Sequence, residues 1–598
     1  MFQQLTLPVL HRLLYIILLT ASAAIANAQY YIRGEVKNEK NQPLQNVKII
    51  LHSNHSLYYS GAAGAFGITT KMLNDSLSFS LEGYESKSIK INADQWQDVN
   101  LKILPSNVNR SRPKLISVTK NFNQTTKYHW YVNNETYFQL VENEYVSADK
   151  FPNTGFSLNV NKASYSNIRR FLNMGSTVPP DAVRTEELLN YFNLHRREPE
   201  NNDVFRIESQ LSACPWDDDK QLLYLNINAK KLDLNRIPPS NFVFLIDVSG
   251  SMDMPNRLPL LQAAFQLFVK NLRAIDTVSI VTYGGTVGIW LQPTSGAEKD
   301  KISKSIEELS ASGDTPGEAA IITAYELAER TFIKGGSNRV ILATDGDFNV
   351  GLSSEKALDE LITREKQSGV FLTCLGVGMG NFKDSKLETL AKRGNGNYAY
   401  LDDIGEAEKV LVKELTQTFY AVADNVYINM QFNPKIVKQY RLIGFDNKRD
   451  AVSDSTIDIE GGEVGSGSSV LAIFEIVPED PKLFSEEGIM DKNGVARLSM
   501  RYSLCNDTSN KVMDYVCPAK FTEFKNIDNE LQFATAVAMF GLKVKQSKYI
   551  KDADWLQIET IATASYNPKE YLQSEFLQMI NKAQKIYKSK KGRKKKDD

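Results

Sequence analysis

Cysteine and histidine, on which many metal and nucleophilic sites depend, are scarce in this sequence. It contains four cysteines and five histidines among 598 residues, and no histidine follows His195. No C-x-x-C motif occurs, which argues against a zinc ribbon or a thioredoxin-like redox site. A serine nucleophile normally relies on a histidine base, and the serines of the central region all lie downstream of the last histidine. The sequence therefore gives no support to a Ser-His catalytic triad.

Long apolar runs are also missing after the first 28 residues, so we expect no transmembrane segment in the mature chain. His11 and Arg12 precede the short apolar stretch LLYIILLTASAAIA, and the A-x-A pattern of a cleavage site follows at 26–28. No cysteine precedes Cys214, so a bacterial lipid anchor on cysteine is excluded. We expect residues 1–28 to be a signal peptide and the protein to be exported to the periplasm or the cell surface.

Neither sign of charge is in excess. The chain has 70 Lys and Arg residues against 71 Asp and Glu residues, a formal net charge of −1 at pH 7. This balance argues against nucleic acid as a partner. The exception is the segment KSKKGRKKKDD at 588–598, which is basic and without apolar residues. We expect it to be a disordered tail that either keeps the protein soluble or contacts a polyanion or lipid headgroups.

Residues 29–104 alternate apolar and polar side chains in short runs between turn residues, a pattern typical of β-strands. The segment resembles the carboxypeptidase-regulatory-like sandwich of exported bacterial proteins. The positions that carry this likeness are Gly34, Val36, Pro43, Leu44, Val47, Phe66, Gly83 and Tyr84. The resemblance implies a spacer or contact module. The polar segment 105–140 is expected to be a linker, and 141–205 is predicted to be mainly helical.

Residues 237–421, the central domain, alternate near-continuous apolar strands with amphipathic helices. Strands that are apolar throughout are typical of a parallel sheet covered by helices on both faces. The pattern therefore predicts a doubly wound, mostly parallel sheet. For the whole chain we expect a multidomain α/β protein, in which this sheet is flanked by β-sandwich domains and helical segments.

Oxygen-bearing side chains are predicted to meet at one edge of that sheet, beyond the carboxyl ends of its strands, where ligands bind in this class. Asp247 ends the strand FVFLID, and Ser249 and Ser251 follow it in FLIDVSGSMD. Thr315 lies in a second strand-to-helix connection, and Asp345 ends a third strand, in ILATDGDFNVG. All are hard oxygen donors, which favours Mg²⁺ as the bound ion, with Mn²⁺ or Ca²⁺ as alternatives.

This arrangement resembles the metal-ion-dependent adhesion site of von Willebrand factor A domains, in which Asp-x-Ser-x-Ser, a threonine and a strand-terminal aspartate hold the ion. The stretches FLIDVSGSM, RLPLL, TDGDFNVG, GNGNYAYLDD and YRLIGFDN are further similar to the bacterial YfbK-like proteins. This likeness covers roughly residues 141–585. One departure is SLNVNKASYS, where Asn159 and Asn161 stand at positions expected to be acidic, which puts a second cation site there in doubt.

Downstream of the central domain, residues 422–526 are predicted to be β-rich and 527–587 helical. The resemblance implies that the β-rich part packs with strands in 206–236. Cys505 and Cys517 flank a polar turn between two predicted strands. They either form a disulfide or remain two free thiols.

Taken as a whole, the sequence favours a binding protein over an enzyme. The resemblance implies that a partner protein presents an Asp or Glu side chain to the metal, because a hard cation favours a carboxylate. Two alternatives stay open. One is a structural envelope protein with a vestigial metal site, and the other is a metal-assisted hydrolase in which the ion activates water.

Overall fold

The computed structural model describes most of the chain, with gaps. The described residues are 30–39, 41–54, 56–61, 63–81, 84–102, 135, 137–201, 203–233, 237–284, 287–313, 317–346, 362, 369–379, 382–446, 462–480, 492–504, 507–550 and 553–594. The signal peptide expected at 1–28 and the greater part of the expected linker lie outside them. None of the described helices is long and apolar enough to cross a membrane.

The N-terminal sandwich, residues 30–101, has two sheets with the strand orders β4-β1-β7 and β3-β2-β5-β6. Its strands are β1 (Tyr30–Asn38), β2 (Lys48–Leu51), β3 (Leu57–Tyr59), β4 (Ala65–Thr70), β5 (Asn74–Ser80), β6 (Lys87–Asn92) and β7 (Trp96–Leu101). Alternate residues of β1, such as Ile32 and Val36, point into the space between the sheets and pack with Phe79 and Val99. Period-two alternation in the sequence therefore becomes one buried face on each sheet.

The segment that follows combines short strands, helices and a long hairpin. Its elements are β8 (Val146–Ser147), β9 (Asn153–Thr154), α1 (Ala163–Asn173), a 3₁₀ turn (Pro180–Ala182), α2 (Thr185–Leu189), β10 (Phe205–Ala213) and β11 (Gln221–Ala229). The expectation of a linker up to residue 140 is wrong at its end. Arg170 donates two hydrogen bonds to the buried Glu135, at 2.6 and 2.8 Å, and Leu140 donates its N–H to Asp181. These contacts fix Glu135 and Leu140 against the helical segment.

The central domain contains a sheet in the order β14-β13-β12-β15-β16-β17. The strands are β12 (Ser240–Asp247), β13 (Thr277–Tyr283), β14 (Gly288–Ser295), β15 (Ser337–Thr344), β16 (Phe371–Val377) and β17 (Tyr398–Leu401). The helical elements are a 3₁₀ turn (Gly250–Met252), α3 (Leu258–Asn271), α4 (Lys299–Glu307), α5 (Gly317–Arg330), α6 (Asp384–Arg393), α7 (Ile404–Glu408), a π-helical turn (Lys409–Lys413) and α8 (Leu415–Phe419).

All neighbouring strands of this sheet run parallel except β14, which is antiparallel to β13. Side chains of β12 alternate between the two faces. Phe244 and Ile246 pack under α3, whereas Val243 and Leu245 pack with the apolar side of α5. Both faces are buried, which explains why the sequence of β12 is apolar without interruption. The predicted doubly wound, mostly parallel sheet is confirmed.

The C-terminal part contains a second sandwich and a helical layer. Its elements are β18 (Ala421–Phe432), β19 (Val437–Leu442), β20 (Gly462–Gly465), β21 (Ser469–Pro478), β22 (Ala496–Leu504), β23 (Asp507–Cys517), β24 (Phe521–Thr522), a 3₁₀ turn (Phe524–Asn526), α9 (Asn529–Lys545), α10 (Trp555–Ser565) and α11 (Tyr571–Lys594). One sheet has the order β24-β10-β11-β21-β19-β8, and the other has the order β20-β18-β22-β23, with β9 on β18.

The first of these sheets joins chain segments from both sides of the central domain, because β11 pairs antiparallel with β21. Leu223 and Leu225 face the second sheet, whereas Leu222 and Tyr224 face α9 and the helices around it. The sheet is thus the middle of three layers. The central domain is inserted in the chain between β11 and β18.

The N-terminal sandwich lies against the edge strand β14 of the central domain. The N–H of Ile289 donates a hydrogen bond of 3.0 Å to the hydroxyl of Tyr31. Glycines on both sides make room for this hydroxyl, since a Cβ at Gly67 or Gly288 would lie 2.0 or 2.7 Å from it. Tyr31 therefore occupies the outward hydrogen-bonding side of an edge strand, the side that sheet proteins usually keep covered.

Buried ion pairs connect the segment 141–205 with the central domain. Basic side chains of the segment meet acidic side chains of α6 to α8 and their connections. The pairs include Lys162 with Glu414 at 2.9 Å, Arg169 with Asp402 at 2.8 Å and Arg184 with Glu388 at 2.8 Å. Removing one partner of a buried pair leaves an uncompensated charge, so these contacts hold the two regions in a fixed relation.

Of the two alternatives left open for Cys505 and Cys517, the structure contradicts the disulfide. Cys517 is a buried free thiol at the far end of β23, where it pairs with Ala496. Cys505 lies outside the described residues, but its chain neighbour Leu504 pairs with Asp507 at the near end of β23. A strand rises about 3.3 Å per residue, so the length of β23 separates Leu504 from Cys517 by far more than the roughly 7 Å that a disulfide allows.

The expected disordered tail is wrong over most of its length, because α11 continues to Lys594. Lysine and arginine have high helix propensity. Positive charge also interacts favourably with the carboxyl end of a helix dipole. Residues 595–598 lie outside the described residues.

Candidate metal site

Asp247 ends β12 with its carboxylate held in place by two hydrogen bonds. One oxygen accepts the N–H of Ser249 at 2.9 Å, and the other accepts the hydroxyl of Thr344 at 2.8 Å. The side chain is fully buried. Burial and the nearby charge of Asp345 raise the pKa of Asp247 to about 6, although the hydrogen bonds from Ser249 and Thr344 oppose the shift. The site thus places two carboxylates where their repulsion is poorly screened.

The two serines of FLIDVSGSMD lie side by side above Asp247. Ser249 has an extended backbone and precedes the 3₁₀ turn that contains Ser251. Their hydroxyl oxygens are 3.1 Å apart. Ser249 is buried and Ser251 is exposed. The first serine is therefore enclosed within the site, and the second lies on its solvent-exposed side.

The loop that precedes Thr315 connects α4 to α5, rather than a strand to a helix as predicted, and it is tied to this serine loop. The N–H of Ser312 donates to the carbonyl of Val248 at 2.6 Å, and the N–H of Gly250 donates to the carbonyl of Gly313 at 3.0 Å. Thr315 itself lies outside the described residues. These hydrogen bonds fix the start of its loop beside the two serines, so its proposed role stays a prediction.

Asp345 follows β15 directly and contacts a residue that sequence analysis did not identify as part of the site. Arg257 donates a hydrogen bond of 2.7 Å to Oδ2 of Asp345. The same guanidinium nitrogen donates to the carbonyl of Ser251 at 2.6 Å, and the other donates to the carbonyl of Met379 at 2.9 Å. The motif RLPLL contains this arginine, but its spacing from the serines gives no sign of the contact.

A close backbone approach shapes the floor of the crevice. Gly284, at the end of β13, has a φ of +145°, and a Cβ there would lie 2.4 Å from the nitrogen of Ser249 and from the carbonyl carbon of Val248. The N–H of Val248 in turn donates to the carbonyl of Tyr283 at 2.7 Å. Only glycine allows this approach, which sets the height of the serine loop above the sheet.

The donors at this edge fit a hard divalent cation. They combine two carboxylates with serine hydroxyls. This set differs from a cluster of three or more His, Cys, Asp or Glu side chains, of which the described residues contain none that could hold a metal. An oxygen set of mixed charge is what Mg²⁺ or Mn²⁺ accepts while keeping some of its waters. The structure brings Asp247, Ser249, Ser251 and Asp345 to one edge of the sheet, as the sequence predicted.

The histidines that the structure describes lie elsewhere. His52 contacts Ser78 in the N-terminal sandwich, and His195 lies 3.1 Å from Asp528. Neither contacts a serine of the site. The asparagines at 159 and 161 contact the central domain, since Asn161 accepts the N–H of Tyr398 at 3.0 Å and Asn159 donates to the carbonyl of Gly396 at 3.5 Å.

Comparison with protein families matches the chain along most of its length. The profile described as von Willebrand factor type A domain covers residues 242–347, and one described as von Willebrand factor covers 131–224. The profile of the uncharacterized protein YfbK, C-terminal, matches 417–586. A CarboxypepD_reg-like domain matches 32–111, which confirms the resemblance of the N-terminal sandwich.

Individual proteins agree with these matches. The uncharacterized protein YfbK of Escherichia coli (strain K12) is 35% identical over 473 residues, which is 75% of this chain and 80% of that protein. The magnesium-chelatase 67 kDa subunit of Chlorobaculum tepidum is 24% identical, over 37% of this chain and 40% of the subunit. A solved von Willebrand factor type A protein from Catenulispora acidiphila is 15% identical, with a TM-score of 0.38 over 64% of this chain and 90% of that one. The extent and identity of the first match show that this chain belongs to the YfbK family.

Proposed function

We propose that the protein is an exported binding module that captures a partner protein through a Mg²⁺ ion at the edge of its central sheet. The observation that carries the proposal is the convergence of Asp247 and Asp345 with the hydroxyls of Ser249 and Ser251. Two buried carboxylates on neighbouring strands repel one another, and a divalent cation bound between them relieves that repulsion.

The residues of the site would have different roles in binding the ion. Ser249 and Ser251 offer neutral oxygens at the mouth, and Asp345 supplies charge from the next strand. Asp247, whose two oxygens already accept hydrogen bonds, would act through a water or by its remaining lone pairs. When bound, the ion supplies an open coordination position that suits the Asp or Glu side chain of a partner.

The surroundings of the site support binding rather than catalysis. The described histidines contact other groups, so neither His52 nor His195 is placed to act as a base towards Ser249. The place of action that we propose, the periplasm or the cell surface, rests on the signal-peptide pattern at 1–28.

The proposal is tested with the full mature chain and Mg²⁺. Calorimetry should detect one bound ion, and a pull-down from envelope extract should retain a specific partner in Mg²⁺ that is lost in EDTA. Asp300→Ala, which removes an exposed carboxylate on α4, serves as the control and should behave like wild type. Absence of any heat of Mg²⁺ or Mn²⁺ binding would contradict the proposal.

A further inference from the structure

Arg257 is placed to act on the chemistry of the metal site without being one of its oxygen donors. It is buried at the start of α3 and spans the crevice from one loop to the next. One nitrogen of its guanidinium reaches both Oδ2 of Asp345, at 2.7 Å, and the carbonyl of Ser251, at 2.6 Å. A single cation therefore touches two of the three loops that carry the predicted ligands.

The fold makes room for this side chain. Gly378, after β16, has a φ of +79°, and a Cβ there would lie 2.5 Å from Nε of Arg257. The next residue, Met379, accepts a hydrogen bond of 2.9 Å from the guanidinium through its carbonyl. Arg257 is thus held by three loops of the same sheet edge, and its charge is fixed in position rather than mobile.

A fixed positive charge changes the balance of the site. Among the described side chains of the site, the carboxylates of Asp247 and Asp345 together balance the charge of one divalent cation. The Arg257 guanidinium adds one positive charge that these groups do not cancel. We infer that Arg257 is a specificity-determining residue: it weakens metal binding and, in exchange, makes the metal-loaded site a receptor for anionic ligands, with a carboxylate as the chemical class.

This inference rests on the proposed function and predicts opposite effects on two affinities. A neutral side chain at 257 removes repulsion towards the metal, so the metal should bind more tightly. The same change removes attraction towards a carboxylate, so that ligand should bind more weakly to the loaded site. A residue that merely supported the loops would weaken both affinities when it is replaced, because ligand geometry would be lost.

The experiment compares wild type with Arg257→Met and Arg257→Lys in the full mature chain. Mn²⁺ binding is measured by electron paramagnetic resonance, and acetate binding to the Mn²⁺-loaded protein is measured by water-proton relaxation. For Arg257→Met we expect the dissociation constant of Mn²⁺ to fall about tenfold and that of acetate to rise about tenfold, from charge interactions in a partly dry crevice. Arg257→Lys keeps the positive charge but not the planar set of donors that contacts three loops, so acetate binding should weaken less than in Arg257→Met.

The outcomes separate the inference from the proposed function. Weaker Mn²⁺ binding by Arg257→Met, with circular dichroism like that of wild type, would overturn the inference and leave the metal site standing. Unchanged acetate binding would overturn it as well. If Arg257→Met does not fold, Arg257→Lys decides: loss of acetate binding in a protein that keeps the charge would contradict the inference. Failure of wild type to bind Mn²⁺ would remove the proposed function itself.

Discussion

The carboxylate of Asp247 is stabilised by its hydrogen bonds and destabilised by its surroundings. Ser249 and Thr344 donate to its two oxygens, yet burial and Asp345 raise its pKa to about 6. Such a carboxylate responds strongly to a nearby cation. The cation offsets the cost of burial and the repulsion from Asp345, and the hydrogen bonds stay in place.

Substitutions at Asp247 and Ser249 should therefore differ in how much of the stabilisation by Mg²⁺ they remove. At about 100 times its dissociation constant, Mg²⁺ should stabilise wild type by roughly 2.7 kcal/mol. Asp247→Ala should abolish this gain, since it removes a charge as well as an oxygen. Ser249→Ala should reduce it only in part, because a neutral oxygen is lost.

Thermal melts in Mg²⁺ and in EDTA measure the two effects. Both variants should remain folded in EDTA, because the site lies at the sheet edge outside the apolar layers. An equal gain from Mg²⁺ in wild type and Asp247→Ala would contradict the assignment of Asp247.

Gly284 offers a test of the backbone that supports the serine loop. Gly284→Ala places a Cβ 2.4 Å from the nitrogen of Ser249, so the loop must move away from the sheet. The variant should lose stability by roughly 3 kcal/mol or more and lose most of its affinity for Mg²⁺. Gly335→Ala is the matched control, since Gly335 also has a positive φ, +74°, but a Cβ there would meet nothing within 4 Å. In denaturant titration, the free energy of unfolding of that variant should fall by only about 1 kcal/mol, and its affinity for Mg²⁺ should be unchanged.

For single residues, sequence analysis could predict the site residues that end parallel strands. Asp247 and Asp345 each end a parallel strand, and parallel strands end at the same edge, so their meeting could be predicted. Arg257 could not be predicted in the same way, because its contact with Asp345 depends on how far α3 starts from the sheet. Thr315 remains a prediction, supported by the hydrogen bonds that fix Ser312 and Gly313.

Among the elements, the β22–β23 hairpin shows why a cysteine pair is hard to assign from sequence. The polar stretch between Cys505 and Cys517 suggests a turn, but residues 507–517 form β23, which is exposed at Val512. An edge strand with one solvated face has the same polar composition as a long turn. Composition alone therefore could not separate the two structures.

Cys517 should consequently behave as a buried thiol. Burial raises its pKa to about 12, so almost none of it is thiolate at neutral pH. Iodoacetamide should leave Cys517 unlabelled in the native protein and label it fully in denaturant without any reductant. Mass mapping that requires a reductant for labelling would contradict the free thiol.

The helical elements show a similar limit. The apolar spacing of EAEKVLVKELTQTFY suggests one helix, whereas the structure divides the stretch into α7, a π-helical turn and α8. In the π-helical turn the buried Lys409 lies 3.1 Å from Glu414. Apolar periodicity locates helices but does not show where a turn contains an extra residue.

For the whole molecule, the hydroxyl of Tyr31 is one of the groups that join the N-terminal sandwich to β14. Tyr31→Phe removes the hydroxyl that accepts the Ile289 N–H and leaves this N–H without that hydrogen bond. Loss of such an acceptor lowers the free energy of unfolding by about 1–3 kcal/mol. Hydrogen exchange at the Ile289 amide should then be at least about tenfold faster. Tyr59→Phe, on the edge strand β3, is the control, and similar exchange in both variants would contradict the role of Tyr31.

Glu414 lies at the junction between segment 141–205 and the central domain, and its charge makes the stability of this junction depend on pH. Burial alone would raise its pKa, but Lys162 and Lys409 outweigh burial and lower it to about 2, below the ordinary value of 4.5. Its stabilising contribution is therefore complete above about pH 4.5 and is lost as the pH falls towards 2.

Denaturant titrations between pH 2 and pH 7 test this assignment. Glu414→Gln should be less stable than wild type at pH 7, and the difference should shrink below pH 4.5. Glu408→Gln changes a half-exposed carboxylate that lies 3.5 Å from Lys413 and should follow wild type throughout. A constant difference between Glu414→Gln and wild type over the whole range would contradict the assignment.

The insertion of the central domain between β11 and β18 has a consequence for the order in which the protein forms. Strands β10 and β11 leave the synthesis machinery early, but their partner β21 follows only after the whole central domain. Until then, Leu223 and Leu225 have no second layer to cover them. The central sheet, whose strands are contiguous in the chain, can form first and bring the two distant segments together. Maturation should therefore proceed from the middle of the chain outwards, with β11 exposed to chaperones in the interval.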